Sequence, residues 1–568
     1  MLDLRKNGIS FRRVKGDVML NETTPIEMFY KWEKERAFEV YLKQPVSGVW
    51  IDYTWMRVAK EARSMATALK KMGIEKGDKV AICSKNCAHW IMADLAIMLA
   101  EAVSVPLYPH QQPETTRYVL EHSESKVAFV GKLDDPKLIA AGIPDSVTTV
   151  GFPYEGSIEP NHHWDELVEV NSPLKENPVP KLNDIFTIIY TSGTTGLPKG
   201  VLHNFRAASF ACGVSVTEFD MTTRDKVVSF LPMSHVAERF MVELASIYAG
   251  GLVAFVESLD TFTKNIQEIQ PTMFFAVPRL WVKFQMGILE KLPEKKMKRL
   301  LKIPVISGLI KNKIKKGLGL GEARYIISGA APLGVPVLNW FAKLGIHIQE
   351  GYGLTENFAY GTLNREDDIQ VGSVGKSLSG GEVKISPEGE ILFRSPCVMQ
   401  GYYKEPEKTK ETLTDDGFLK TGDRGEFTAD GHLKITGRVK EIFKTAKGKY
   451  VAPAPIEGLL LENTHIEQLC VMGTGLPAPV GLLVLSELAR TIDRSTLNRQ
   501  ISITLEKVNE RLDPHEKMSQ LIVVKDPWTV EEGLMTPTMK IKRHLVEKRY
   551  ESLVSTSVTR PESIYWEN

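Results

Sequence analysis

Up to about residue 360, short β-rich apolar runs at 80–82, 185–190, 227–231 and 325–327 alternate with stretches of helical character. Strands alternating with helices predict α/β layers built on mostly parallel sheets. The segment 90–105 is the strongest candidate for a membrane span, yet Asp94 and Glu101 interrupt it and Pro106 ends it. It falls short of the ~18 uncharged apolar residues that a spanning helix needs, and predicts a buried helix running into a strand. From 371 to 435 the texture changes to short strands broken by Gly380-Gly381, Pro387-Glu388-Gly389, Asp415-Asp416-Gly417 and Asp430-Gly431. Such turn signals predict a small β module closing the large domain.

Gly437-Arg438-Val439-Lys440 is polar and turn-like, and fresh αβ patterning follows it to about residue 550. These breaks predict a large multi-layer N-terminal domain over 1–436, a hinge at 437–440 and a small α+β domain over 441–568. The polar stretch 555–568 predicts a loose tail.

Composition narrows the classes. The chain has 568 residues, 43% apolar and 25% charged, ordinary for a globular protein. Its 71 Lys+Arg against 70 Asp+Glu supply no global field for nucleic acid. Cys83, Cys87, Cys212, Cys397 and Cys470 are scattered without a Cys-x-x-Cys pair, which favours a reducing compartment over a disulfide framework or structural zinc. The N-terminus lacks the apolar core of a signal peptide. Together these features predict a cytoplasmic protein. One local charge feature departs from the balance: residues 291–316 hold many lysines and a single acid, Glu294, with leucines and isoleucines among them. Such a run reads either as a solvated basic face or as a peripheral contact with an anionic membrane.

The most informative segment is Tyr190-Thr191-Ser192-Gly193-Thr194-Thr195-Gly196-Leu197-Pro198-Lys199-Gly200. Its glycines admit close backbone approach, its hydroxyls are donors and Lys199 is a cation, which suits a polyphosphate at a strand-to-helix corner. A Walker A loop needs Gly-Lys followed by Ser or Thr; here Pro198 precedes Lys199 and Gly200 follows it, so a standard P-loop is disfavoured.

This string resembles the signature of the adenylate-forming superfamily, which includes acyl-CoA synthetases, luciferases and peptide-synthetase adenylation domains. The resemblance covers nearly the whole chain. Ser328-Gly329-Ala330-Ala331-Pro332-Leu333 is similar to the family's adenine-side loop, and Gln349-Glu350-Gly351-Tyr352-Gly353-Leu354-Thr355-Glu356 to its next motif. The resemblance implies that Tyr352 stacks on adenine, Thr355 contacts phosphate and Glu356 holds Mg²⁺. It implies a ribose-binding role for Asp423 in Thr421-Gly422-Asp423, and contact of Arg438 with ribose or the α-phosphate. Lys440 is the implied hinge, and Gly448 lies in the loop expected to enter for the thiol step. Thr536-Pro537-Thr538-Met539-Lys540-Ile541 is similar to the segment with the family's catalytic lysine. That puts the role on Lys540, with Lys542 as runner-up, because Met539 stands where a glycine is common.

Within the superfamily, residues 231–240, 271–281 and the Thr-Pro-Thr-Met-Lys segment resemble the long-chain fatty acyl-CoA synthetase branch. His235 is then expected near the acyl or thiol entrance, and Gly351, Gly353, Ala359 and Gly361 leave space for an alkyl tunnel. The implied reaction joins fatty acid, ATP and CoA with Mg²⁺, through an acyl-adenylate, with a mobile C-terminal domain serving both half-reactions. A ligase loading a carrier protein and a non-catalytic lipid- or nucleotide-binding relative remain as alternatives.

Overall fold

A computed structural model describes residues 23–191, 197–487, 489–536 and 540–567 in full, and the backbone of 11–14 and 18–21. The fold is a mixed α/β assembly of a large N-terminal and a smaller C-terminal domain. Its largest sheet has eight strands. Ile185–Thr191, Val103–Leu107, Lys79–Cys83, Ser125–Val130 and Thr148–Gly151 run parallel through its centre. A second sheet carries Lys226–Ser229 and Leu252–Phe255 parallel to Val40–Val46. A third places Met273–Ala276, Tyr325–Ser328 and Gln349–Tyr352 in parallel.

The expected buried helix is Ala88–Leu99, and every residue in it is buried. It contacts strands of both the eight-stranded and the second sheet, so no face is left for water and no amphipathic stripe is required. Asp94, in its middle, is matched by equally buried Arg239, whose Nη2 donates to Asp94 Oδ2 at 2.5 Å. Arg239 also donates to Glu243, Thr187 and Ser104. Burial, then the neighbouring Asp94, pushes the Glu243 carboxyl well above its usual range. A neutral Glu243 leaves one cation facing one anion. Among the described residues, no helix is long and apolar enough to cross a membrane.

The small β module is an antiparallel sheet of Glu382–Ile385, Glu390–Arg394, Leu419–Phe427 and Leu433–Arg438. Gly437 and Arg438 end its last strand instead of forming the expected turn; a short 3₁₀ turn, Val439–Glu441, follows. Beyond it, Ile466–Met472, Val480–Leu485, Gln520–Val524 and Ile564–Trp566 form a sheet flanked by the helices Pro453–Leu460, Arg494–Arg511 and Arg543–Ser557. The expected loose tail is therefore corrected. Ile564–Trp566 pairs parallel with Gln520–Val524, and Trp566 Nε1 donates to Asn498 at 2.6 Å. Ile564 is buried in the core on one side of the sheet with Trp566 packed beside it, and Tyr565 packs against the core on the other side, so three apolar residues hold a strand within an otherwise polar segment.

Candidate active site

Lys199–Asn204 is a strand, antiparallel to Ile185–Thr191, with Thr191 opposite Lys199. The expected strand-to-helix corner is thus a hairpin, and the helix Phe205–Glu218 begins one strand later. The segment 199–204 is held as a strand by pairing on both sides, with Ile185–Thr191 and with Gly401–Tyr402, and Val201 and His203 are buried on one face. Ser192, Gly193, Thr194, Thr195 and Gly196 lie outside the described residues. Tyr190 Oη and His122 Nδ1 share a hydrogen bond of 2.7 Å that pins the first strand of the pair. On the second strand, Lys199 Nζ lies 4.8 Å from the centre of the Tyr402 ring. Tyr402 Oη in turn donates to Glu356 Oε1 at 2.8 Å. One tyrosine therefore links the cation of the loop to the carboxylate of the downstream motif.

Two neighbouring parallel strands, Tyr325–Ser328 and Gln349–Tyr352, deliver the next residues at their C-terminal ends. Ligand sites collect at such strand ends because the chain there leaves the sheet in adjacent loops. Gly329 sits in a tight place: a Cβ would stand 3.2 Å from the Phe275 ring and 3.3 Å from the Gly351 carbonyl. Ala330 adopts a left-handed φ of 67°. Glu350 Oε1 accepts from Leu333 N at 3.1 Å, and burial pushes its carboxyl up to about 7. After the turn Thr355–Asn357, Phe358 and Ala359 are both left-handed. This fold-back presses the chain on itself. A Cβ on Gly353 would lie 2.6 Å from the Ala359 carbonyl oxygen, and one on Gly361 2.3 Å from that of Tyr352. Gly361 is accordingly small for backbone packing, which corrects its expected use as tunnel space, whereas Gly353, equally tight against backbone, lines the cleft together with Gly351 and Ala359. His203, held neutral with a pKa lowered to about 4 chiefly by burial, donates Nε2–H to the Thr355 carbonyl at 2.7 Å and fixes the turn.

Asp423 and Arg438 face each other across adjacent strands. Arg438 Nε donates to Asp423 Oδ1 at 2.8 Å, while Tyr352 Oη donates to Asp423 Oδ2 at 2.6 Å. Each carboxylate oxygen has one bond, leaving a lone pair on each for further donors. Lys540 lines the same cleft and is exposed to its solvent. Desolvation by the cleft walls lowers the pKa of its ammonium, and the Arg438 guanidinium lowers it further; Asp423, Glu356 and Glu441 oppose the shift. Since the cleft is open to water, the desolvation acts in full only when ligands displace that water. His235 lies opposite. Its Nδ1 accepts from Ala237 N at 3.2 Å, which places the proton of the neutral ring on Nε2. Burial, then the Lys540 charge, lowers its pKa to about 4.

These groups share one cleft of about 2420 Å³, well above the ~300–1,000 Å³ that holds a single small ligand. Thr191, Lys199, His235, Gly329, Ala330, Glu350, Gly351, Tyr352, Thr355, Glu356, Asp423, Arg438, Lys440 and Lys540 all line it. Its apolar lining includes Phe240, Met241, Ala245, Met273, Phe275 and Ile327. Phe240 and Met241 lie on a π-helical turn, Arg239–Leu244, which the buried Arg239 holds in place. Gly448, with φ 77°, closes a turn by donating to Thr445 O at 2.8 Å and does not line the cleft. Lys542 lines it as well, at the start of the helix Arg543–Ser557.

Sequence reasoning missed three supports. Tyr402 carries no motif signal, being an aromatic residue on a two-residue strand. Arg543 anchors the Lys540 segment through Glu457 at 2.7 Å and the Val471 carbonyl at 2.6 Å. Asn86 clamps the loop before His235 by donating to Ser229 and to the Leu231 carbonyl.

Residues 31–403 match the AMP-binding enzyme family, and residues 441–561 match the AMP-binding enzyme C-terminal domain. The chain is 28% identical over 580 residues to the long-chain-fatty-acid–CoA ligase FadD15 of Mycobacterium tuberculosis, covering 92% of this chain and 95% of that protein. It is 31% identical over 571 residues to the peroxisomal long chain acyl-CoA synthetase 6 of Arabidopsis thaliana, covering 88% and 80%. Among solved structures, the anthranilate CoA ligase AuaEII in complex with anthranoyl-AMP has a TM-score of 0.78 at 21% identity, over 96% of this chain and 100% of that one. ATP-bound MatB from Rhodopseudomonas palustris has a TM-score of 0.74 at 23% identity, over 93% and 99%. At these identities, the structural likeness shows a shared fold.

Proposed function

This chain belongs to the AMP-binding enzyme family, and from that premise we propose that it is an ATP-dependent fatty acid:CoA ligase. The observation that carries this reading is that one cleft is lined both by the cations Lys199, Arg438 and Lys540 and by apolar side chains including Phe240 and Phe275. A nucleotide suits the first and an alkyl chain the second.

In this reading Thr191, Lys199 and the loop 192–196 between them take the phosphates. Glu350, Gly351, Tyr352 and the Gly329-Ala330 turn take the adenine. The two free lone pairs of Asp423 suit a pair of ribose hydroxyls, and Arg438 reaches the ribose or the α-phosphate. An oxygen of the fatty acid carboxylate attacks the α-phosphorus, pyrophosphate leaves, and an acyl-adenylate forms. Two anions must approach each other, so the protein contributes chiefly by positioned cations and donors, Lys540 foremost. In the second step the CoA thiol attacks the acyl carbon, AMP leaves and the thioester forms. His235 offers a neutral Nε2–H beside the reacting groups.

Mg²⁺ fits the site as an ion held mainly by substrate. Among the described residues, no three His, Cys, Asp or Glu converge as a metal cage. Glu356, with one oxygen engaged by Tyr402, offers the hard oxygen ligand that Mg²⁺ takes alongside phosphates and water. When bound, the ion neutralises phosphate charge.

With Lys540 in the cleft and Gly448 outside it, the arrangement suits the adenylating step. Rotation of residues 441–568 about 437–440, with Lys440 as the hinge, then exchanges Lys540 for the Gly448 loop. The five buried free thiols suit a reducing, cytoplasmic compartment. Pyrophosphate release across acids from acetate to oleate, with aryl acids alongside and with or without CoA, tests the reading. Long-chain acids should lead, and thioester should appear only with CoA. Release that gains nothing from CoA points to a carrier-protein acceptor, and no release with any acid refutes catalysis.

A further inference from the structure

Tyr402 sits where two parts of the candidate nucleotide site are joined. Its strand, Gly401–Tyr402, pairs antiparallel with Lys199–Asn204, and Val201 stands opposite Tyr402. Backbone bonds continue on either side: Tyr403 N donates to the Gly200 carbonyl at 2.7 Å and Gln400 N to the Leu202 carbonyl at 2.9 Å. One residue earlier, Met399 N donates to the Glu356 carbonyl at 2.8 Å. Residues 399–403 therefore tie the strand of Lys199 to the turn of Glu356. The Tyr402 backbone is itself fixed, its N–H donating to Thr409 Oγ1 at 2.9 Å. Gly401, at φ 145°, allows that approach; a Cβ there would stand 2.8 Å from the Thr409 methyl. Tyr402 is only 7% exposed, and both of its functional parts are engaged, the hydroxyl on Glu356 Oε1 and the ring under Lys199 Nζ.

We propose that Tyr402 is a positioning residue for both halves of the metal–nucleotide site: its hydroxyl orients Glu356 for Mg²⁺, and its ring holds Lys199 ready for the phosphates. A carboxylate that takes a metal must give up rotational freedom. A fixed donor on one oxygen removes that freedom beforehand and leaves the other oxygen for the ion. Lysine has more freedom to lose, over four methylenes, and an aromatic face within about 6 Å restrains the ammonium while leaving its charge intact. An acid at 402 would also hold Lys199, but would cancel that charge and repel Glu356. Tyrosine supplies the donor and the π face from one side chain. The inference rests on the nucleotide-binding part of the proposed function.

The test is calorimetric titration of the full chain with ATP, without any acid substrate, once in excess Mg²⁺ and once in EDTA. The ratio of the two dissociation constants measures what the metal adds. Tyr402→Phe keeps the ring and removes the donor, so it should cut that ratio about tenfold and leave the EDTA constant unchanged. Glu356→Gln should lower the ratio as well, and adding Tyr402→Phe to it should cost nothing further, since both act through one carboxylate. Tyr402→Leu removes the ring too and should weaken the EDTA constant about two- to fivefold. A tyrosine that merely packs would, as phenylalanine, shift both constants by one factor or shift neither; either result overturns the proposal. Additive losses in the double variant overturn the route through Glu356, and a wild-type EDTA constant in Tyr402→Leu overturns the hold on Lys199. Wild type that binds no ATP in either condition refutes the nucleotide reading itself, an outcome distinct from wild-type binding that Tyr402→Phe leaves unchanged.

Discussion

Replacing Lys540 by alanine removes one cation from a cleft in which Arg438 is the nearest like charge and Asp423, Glu356 and Glu441 are the opposing ones. Removing one positioned donor from developing charge costs about 10²–10³ in rate, and that is the loss expected in acyl-adenylate formation. Lys540 is exposed, so stability should change by no more than about 0.5 kcal/mol. Thioesterification of preformed acyl-adenylate should stay within about threefold of wild type, because in the proposed rotation Lys540 leaves the site for that step. A pH profile sharpens the test. The ammonium is the useful form and its pKa is lowered, so wild-type adenylation should fall as pH rises, on a limb below the ordinary lysine range. The limb should vanish in Lys540→Ala. In Arg438→Gln it should move to higher pH, because a like charge is gone and Asp423 is freed from its 2.8 Å partner to favour the ammonium. The assays are pyrophosphate release for the first half-reaction and CoA-dependent AMP release from synthetic acyl-adenylate for the second. Equal losses in both half-reactions, or an unchanged limb in the alanine variant, would refute the assignment.

Glu350, with a carboxyl raised to about 7 by burial, should give the KM for ATP an inflection near that pH, falling as the carboxylate forms and accepts from the adenine amine. Glu350→Gln should abolish it, and a persisting inflection assigns it elsewhere. Its folded pKa lies above the unfolded value, so the stability it contributes is complete below about 4.5 and is lost as pH rises through about 7. Gly361→Ala would put a Cβ 2.3 Å from a backbone carbonyl, so it should cost about 1–3 kcal/mol; an unchanged urea midpoint contradicts this packing. Ala245→Phe fills the apolar end of the cleft and should move the optimum of kcat/KM to shorter acids, at about 0.8 kcal/mol per methylene excluded. A uniform loss across chain lengths would place Ala245 away from the alkyl path.

Several elements were legible because their causes are local. The layer type comes from strand runs spaced by helices, and Ala88–Leu99 from an apolar segment too short and too charged to span a bilayer. The hairpin at 185–204 was misread because a glycine-rich loop marks where a strand ends but leaves open whether a helix or a second strand comes after it. Gly361 was misread for a related reason: a missing side chain leaves room either for a ligand or for another piece of backbone, and the fold-back at Phe358 and Ala359 decides between them.

The chain by itself determined which chemistry is available: hydroxyls and a lysine in a glycine loop, single carboxylates at strand ends, a lysine near the C-terminus. These depend on residue identity and on neighbours a few positions away. Only the tertiary structure decided which of them meet. Tyr402 joins Glu356 from 46 positions downstream, Tyr352 and Asp423 pair across 71, and Lys540 of the C-terminal domain lines the same cleft as Asp423 and Glu356. Such meetings depend on the order of strands in a sheet and on the ends at which the loops emerge, and no local pattern of apolar and polar residues encodes either one.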